Sequence, residues 1–364
     1  SSYILTPYLD VTSMTYPRIA IDYHMHNDSG YASSVGDLTV TVMESDGTET
    51  DVISLSGSQQ DWLSSAWQTA YGDLSSFMSE EIRIKITATY GGAVNFDDFT
   101  VEERPSGQWT GTVDSDWSNA SNWQDGNVPD KDTDVTLPSS ATHDADISND
   151  YDASVRNITI DDGHTLSINK GTSLTVYTDF TNNNSSGGVE LHSESDGFSS
   201  LIVHGTATGN VIYNRYVNSV ENDEWDLVGS PVSGLLISDF VTSNSGTLAT
   251  SGSYSAVGIY DNETDSWENY SGTDQGWQST TTGFFELGRG YQMATVSGAT
   301  LTFTGSVASS DQTYEVYNYD GNVDVNDVPL GGRRWNLVSN PFPSYVNATN
   351  SADSENNFLK VNLA

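Results

Sequence analysis

Apolar and polar residues alternate along this chain in short runs, and the runs end at turn residues. Ile19-Ala20-Ile21-Asp22-Tyr23-His24-Met25 reads as a strand. Leu38 to Met43 alternates and stops at Glu44-Ser45-Asp46-Gly47. Ile82-Arg83-Ile84-Lys85-Ile86 places its charges on one face and its isoleucines on the other, and Val94 to Val101 follows. Runs of this length and period predict half-buried strands. Further on, the apolar pairs Ile158/Ile160, Leu166/Ile168 and Leu174/Val176 recur every eight residues, with Asp162-Gly163 and Lys170-Gly171 between them. A fixed short period with turns predicts a small β-solenoid or a tight meander, and alternation alone is compatible with both.

One segment occurs twice. Trp225-Asp226-Leu227-Val228-Gly229-Ser230-Pro231 returns 110 residues later as Trp335-Asn336-Leu337-Val338-Ser339-Asn340-Pro341, followed by Phe342-Pro343-Ser344. A repeat ordinarily marks a structural unit used again. Only twenty residues follow Ser344, too few for a second unit, so the expectation is a segment of a longer modular protein.

Two stretches resemble known families. The order Tyr23-His24-Met25, Gly36 to Val40, Trp67, Ile82 to Ile86 and Phe96-Asp97-Asp98-Phe99 resembles the C-terminal two-thirds of a MAM-type jelly roll, an extracellular adhesive β-sandwich often attached to secreted proteases. The family's N-terminal strands and the cysteines of its animal members have no counterpart here. Val211 to Tyr216, Gly283 to Met293, Leu301 to Gly305 and the Trp335 segment together resemble a β-rich region of secreted Bacteroidota surface proteins. That region commonly precedes a C-terminal sorting domain of the type IX secretion system, which implies export by that route. Trp109-Thr110-Gly111 and Trp117-Ser118-Asn119-Ala120-Ser121-Asn122-Trp123 resemble a segment that introduces repetitive β structure in such proteins. The expected architecture is all-β: tandem β-sandwich or jelly-roll modules with a short solenoid-like or meander segment between them. The expected domains are 1–104, MAM-like and N-terminally incomplete; 105–207, repetitive; and 208–364, a sandwich with the internal repeat, C-terminally incomplete.

Composition narrows the function. Fifty acidic residues face 12 basic ones, a net charge of −38, so binding to the phosphate backbone of nucleic acid or to an anionic membrane surface is disfavoured. No apolar run reaches bilayer-spanning length, so no direct membrane insertion is expected. The absence of cysteine removes disulfides, thiolate catalysis and cysteine-based metal sites.

Candidate chemistry is sparse. Asp320, Asn322 and Asp324 have the one-three-five spacing of a Ca²⁺ loop, the only cofactor the residues call to mind. Position six is Val325 rather than Gly, and position twelve is Gly331 rather than Glu, so a polar hairpin loop is the alternative. Asp97-Asp98 is a weaker Ca²⁺ candidate. His24 and His26 fall on one strand face, where two imidazoles could share a metal. Trp267, Tyr270 and Trp277 cluster around polar loop sequence, where exposed rings would stack on sugars or anchor a protein interface; Trp62, Trp67 and Tyr71 form a second group. No Gly-x-Ser-x-Gly, His-Glu-x-x-His or phosphate-binding glycine loop occurs, and no carboxylate pair stands in a catalytic context, so no enzyme activity is expected.

The resulting expectation is a non-catalytic structural or adhesive segment of a large secreted, cell-surface bacterial protein: an adhesin, a stalk or a self-assembling appendage subunit. Its partners would be further copies of itself, neighbouring surface proteins or glycans. The alternative is an accessory, glycan-binding region of a secreted protease or glycoside hydrolase.

Overall fold

The computed structural model describes residues 2–26, 35–60, 65–89, 93–185, 187–222, 224–262, 264–272, 283–316 and 335–345. The chain divides into two compact units, Ser1–Ser106 and Gly107–Ala364.

The first unit is a sandwich of antiparallel sheets. Its strands are β1 (Ser2–Leu5), β2 (Leu9–Asp10), β3 (Pro17–His26), β4 (Asp37–Met43), β5 (Glu49–Ser56), β6 (Gln68–Asp73), β7 (Glu81–Ala88) and β8 (Ala93–Glu103). One sheet runs β1-β7-β4-β5 with β2 also on β7, and the other runs β6-β3-β8. Alternation decides which side chains meet. Ile82, Ile84 and Ile86 of β7 and Leu38, Val40 and Val42 of β4 are buried in one cluster with Ile19, Ile21, Tyr23 and Met25 of β3. The two inner faces thus share a core, as sandwiches do.

The second unit opens as a three-sided parallel β-solenoid, which resolves the choice between solenoid and meander. Its strands are β9 (Asp134–Leu137), β10 (Ala145–Ile147), β11 (Asp152–Val155), β12 (Asn157–Ile160), β13 (Leu166–Ile168), β14 (Ser173–Val176), β15 (Phe180–Asn182), β16 (Val189–Leu191), β17 (Ser193–Glu194), β18 (Gly197–Phe198), β19 (Ser200–Val203), β20 (Ala207–Thr208) and β21 (Asn210–Val217). The chain visits three sheets in turn. β9, β12, β15 and β20 stack on one side; β10, β13, β16 and β21 on the second; β11, β14 and β19 on the third. Every one of these pairings is parallel. The eight-residue period is therefore one side of a triangle: Ile158, Leu166 and Leu174 lie in three different sheets. A full coil takes 21 to 23 residues: 23 from Asp134 to Asn157, 22 from Ile158 to Phe180 and 21 from Ala145 to Leu166.

Inward side chains stack on their counterparts in the next coil. Val135 lies beside Ile158 and Ile158 beside Phe180, while Leu166 lies beside Val189 and Val155 beside Val176. The third coil carries four extra residues at one corner, since Val189 to Ser200 spans 11 where Leu166 to Ser173 spans 7. They form the β17–β18 hairpin at a corner, where Lys170 bridges Glu194 at 2.8 Å and Asp196 at 3.0 Å. The ladder above and below keeps its register.

A solenoid needs its ends closed, because a terminal coil has a bare apolar floor. Trp109, Trp117 and Trp123 close the first end. All three are buried, with ring centroids 4.8–6.3 Å apart. Trp109 Nε1 donates to His143 O at 2.8 Å, and Trp123 Nε1 donates to Trp117 O at 2.9 Å. Asn122, fully buried, accepts from the amides of Val113 and Asp114 and donates to Asp116 O. The Trp-Ser-Asn-Ala-Ser-Asn-Trp motif is thus a lid of indoles fixed by one saturated amide.

At the other end each side is closed differently. β21 leaves the parallel pattern and pairs antiparallel with β27 (Ala299–Ser306) along its whole length. On the third side, Leu201 N donates to Pro343 O at 2.8 Å. On the first, Ala207 N donates to Ser309 Oγ at 3.3 Å. The remaining elements are β22 (Asp226–Gly229), α1 (Ile237–Ser243), β23 (Thr250–Ser251), β24 (Tyr254–Asp261), β25 (Ser266–Tyr270) and β26 (Gly290–Met293). They form an antiparallel sheet, β22-β26-β24-β23 with β25 on β24, and one short helix whose Phe240 packs on Phe285 and Phe303. One apolar core runs unbroken from Trp109 to Val307, so residues before and after 207 belong to the same compact unit.

Replacing Trp109 with Ala should lower the stability of the second unit by about 3–5 kcal/mol, as removal of a buried aromatic does. The first unit should be unaffected. Denaturant unfolding followed by hydrogen exchange on each unit measures this, and a loss below about 1 kcal/mol would show that the indoles do not close the stack.

Candidate functional site

The two copies of the repeated segment build the one site of interest. The first copy is β22, paired through Gly229 with Gly290 of β26. The second copy lies against the same strand: Gly290 N donates to Leu337 O at 2.9 Å, and Ser339 N donates to Gly288 O at 2.8 Å. Ser339 Oγ adds a bond to Arg289 O at 2.8 Å. The second copy therefore packs on the first inside one unit instead of opening another. The contact requires glycine. A Cβ on Gly229 would lie 2.0 Å from Ser339 Oγ, and one on Gly290 would lie 2.4 Å from Leu337 Cγ. Gly229 and Ser339 are equivalent positions of the repeat, so the two copies meet at like residues.

Between the copies lies a cavity of about 350 Å³. Leu227, Val228 and Pro231 of the first copy form one wall, and Leu337, Asn340 and Phe342 of the second form the other. The floor is solenoid: Phe198, Ser199, Tyr213 and Arg215. Burial pushes the Tyr213 phenol up to about 12, so it stays a neutral donor, with its hydroxyl 3.4 Å from Ser199 O. The rim is held by Tyr345, whose hydroxyl accepts from Phe198 N at 3.2 Å and donates to Phe198 O at 3.3 Å. Arg215 lies over the Phe198 ring, its guanidinium carbon 3.5 Å from the centroid. This arrangement suits a small ligand: a concavity with apolar walls and several polar groups that could orient it.

A domain family of unknown function, DUF8693, matches residues 108–363. The chain belongs to the DUF8693 family. No curated protein matches the chain in sequence. The indole lid, the solenoid, the antiparallel sheet and the cavity all lie within the DUF8693 region.

Other candidate residues fall elsewhere. Asp320, Asn322 and Asp324 lie outside the described residues, as do Trp62 and Trp277. Trp267 of the DUF8693 region stands on β25, 45% exposed, edge-on to Tyr260 with centroids 5.4 Å apart. Tyr270 lies partly buried against the core and is not part of that pair. In the first unit Trp67 is exposed, and Tyr71 receives the Arg18 guanidinium on its face at 4.0 Å. His24 and His26 do share one side of β3, but both are buried, and their Nδ1 atoms lie 3.0 Å apart in a mutual hydrogen bond. His24 Nε2 lies 3.1 Å from Ser65 O, and a carbonyl only accepts, so that nitrogen carries the hydrogen and His26 Nδ1 is the donor within the pair. Among the described residues no three His, Asp or Glu side chains gather as a metal site, Asp97 and Asp98 included. No helix among them is long and apolar enough to cross a membrane.

Sequence reasoning missed the cavity, yet a clue was present. Val211, Tyr213, Arg215 and Val217 occupy one face of β21 by alternation, so a cation stands in an apolar row.

Replacing Gly290 with Ala should force the second copy off β26. Amide exchange of residues 335–345 and of Leu201 should rise at least tenfold, while the amides of β12 to β15 stay protected. Unchanged exchange at Leu201 would show that the second copy does not depend on this contact.

Proposed function

We propose that this chain is a non-catalytic, structural or adhesive segment of a large secreted bacterial cell-surface protein. The observation that carries the reading is the closed parallel solenoid. Its backbone bonds run between coils and its apolar side chains stack along one continuous core, a scaffold built to hold form. The same chain also carries a sandwich unit, the kind of module adhesive surface proteins use in series. Modules in series set reach, and repeated weak contacts give avidity. The charge of −38 keeps such a protein soluble while disfavouring nucleic acid. The resemblance of the Trp335 segment to the region preceding type IX sorting domains supports an extracellular location, and open strand edges of the sandwich offer a route to self-association by strand addition.

A second reading rests on one specific observation. The exposed Trp267 on β25 stands edge-on to the half-buried Tyr260 on β24. Such rings stack on sugar faces, which fits an accessory glycan-binding region of a secreted protease or glycoside hydrolase.

Electron microscopy and mass determination of the protein taken from its native cell surface test the first reading. Surface-located oligomers or fibres, together with weakened attachment of cells lacking the gene, are the expected result. An intracellular monomer whose loss leaves attachment intact would overturn it. In a glycan screen of the same protein, binding abolished by Trp267→Ala would favour the second reading.

A further inference from the structure

Arg215 is anomalous among the described cations of the second unit, since Lys131, Arg156, Lys170 and Arg289 each pair with a carboxylate. With 50 carboxylates against 12 cations, a basic side chain has every opportunity to pair. Among the described residues the Arg215 side chain has no hydrogen bond and no ion pair, and its guanidinium lies over the Phe198 ring. Asp226 acts on it electrostatically, but that carboxylate is bound by Asn218 through N at 2.7 Å and Nδ2 at 3.0 Å. Yet Arg215 is half-buried, and desolvation pulls its pKa below the ordinary arginine value. A guanidinium withdrawn from water with no carboxylate in direct contact is unfavourable.

The same cavity holds a second unsatisfied donor. Ser199 is 1% exposed, and its hydroxyl has no hydrogen-bond partner. Two other polar side chains of the wall are occupied. Ser339 Oγ is bound to Arg289 O, and Asn340 binds Ser344 O and Phe342 N. What remains is a cation at a cavity lined by apolar side chains together with hydroxyl, amide and backbone groups; the Ser199 hydroxyl lies beneath that lining with no exposed surface of its own.

We propose that this cavity binds a small organic monocarboxylate, held by the Arg215 guanidinium with its apolar body against Leu227, Pro231 and Phe342. A guanidinium matches the two oxygens of a carboxylate in a bidentate fork. The field of a chain carrying −38 opposes a dianion twice as strongly as a monoanion, which favours carboxylate over phosphate. The volume of about 350 Å³ lies at the small end of ligand pockets and suits a compact body. Because the walls are the two repeat copies, the site exists only while the second copy is docked.

The test uses the full chain and paired probes: benzoate against benzamide, hexanoate against hexanamide, and inorganic phosphate, each titrated calorimetrically. At least one carboxylate should bind, and its amide should bind roughly tenfold to a hundredfold more weakly, the range of a charged hydrogen bond. Arg215→Gln should abolish the preference. Arg215→Lys, which keeps the cation and loses the bidentate fork, should weaken carboxylate binding while retaining a preference over the amide; it decides the matter if Arg215→Gln does not fold. No preference for either carboxylate over its amide, an unchanged Kd in both variants, or phosphate binding as tight as carboxylate would overturn the proposal.

Discussion

Everything in the second unit follows from the requirement that each coil of a parallel solenoid lie in register on the one before. A strand in such a stack draws half its backbone bonds from the coil above and half from the coil below. Its inward side chain must also fill the space over its counterpart. Val135, Ile158 and Phe180 satisfy both demands along one side, and Leu166 with Val189 does so along another. The tolerance is local. The β17–β18 hairpin lengthens the third coil without moving its neighbours, because the extra residues leave at a corner, where no ladder bond is lost. Inside a side, a single added residue would send every following side chain to the opposite face.

The repeat illustrates how one sequence serves two environments. In the first copy Trp225 packs against the core and Leu227 faces out; in the second, Trp335 is 74% exposed while Leu337 lies on Gly290. The shared Leu-Val step supplies strand-forming residues in both. What differs is the small residue after it. Glycine at 229 leaves the space that serine at 339 fills, so the copies are complementary where they depart from identity.

Much of the fold was legible in the sequence, for a physical reason. Period-two alternation is local, and it located Ile82 to Ile86, Leu38 to Met43 and the apolar pairs from Ile158 to Val176. Pairing partners are not local. Nothing in Ile158, Leu166 and Leu174 says that each belongs to a different sheet, because the strand geometry is the same for a solenoid and a meander. The Trp335 segment invited the inference of a fresh unit, since similarity between segments carries no information on whether they touch. The His24–His26 pair was placed on one face correctly, but the proton shared between their Nδ1 atoms depends on Ser65, about forty residues away in sequence. Arg215 escaped notice because a lone arginine in a strand is ordinary. It becomes informative only when its neighbours prove buried and its carboxylates prove engaged elsewhere.

The closing of the coil stack by unlike devices has a further consequence. Indoles cover one end; an antiparallel strand, a proline carbonyl and a serine hydroxyl cover the other. Proline offers no amide hydrogen, so the bond from Leu201 ends there and passes nothing on. A stack that could otherwise template its own growth, as cross-β fibrils do, is thereby a counted object. Its length can change only in whole coils of 21 to 23 residues inserted between two fixed ends, each adding about 4.8 Å. Duplication of one coil would give a longer spacer with the same terminal surfaces, so reach becomes a stepwise, heritable variable, separable from whatever the ends contact.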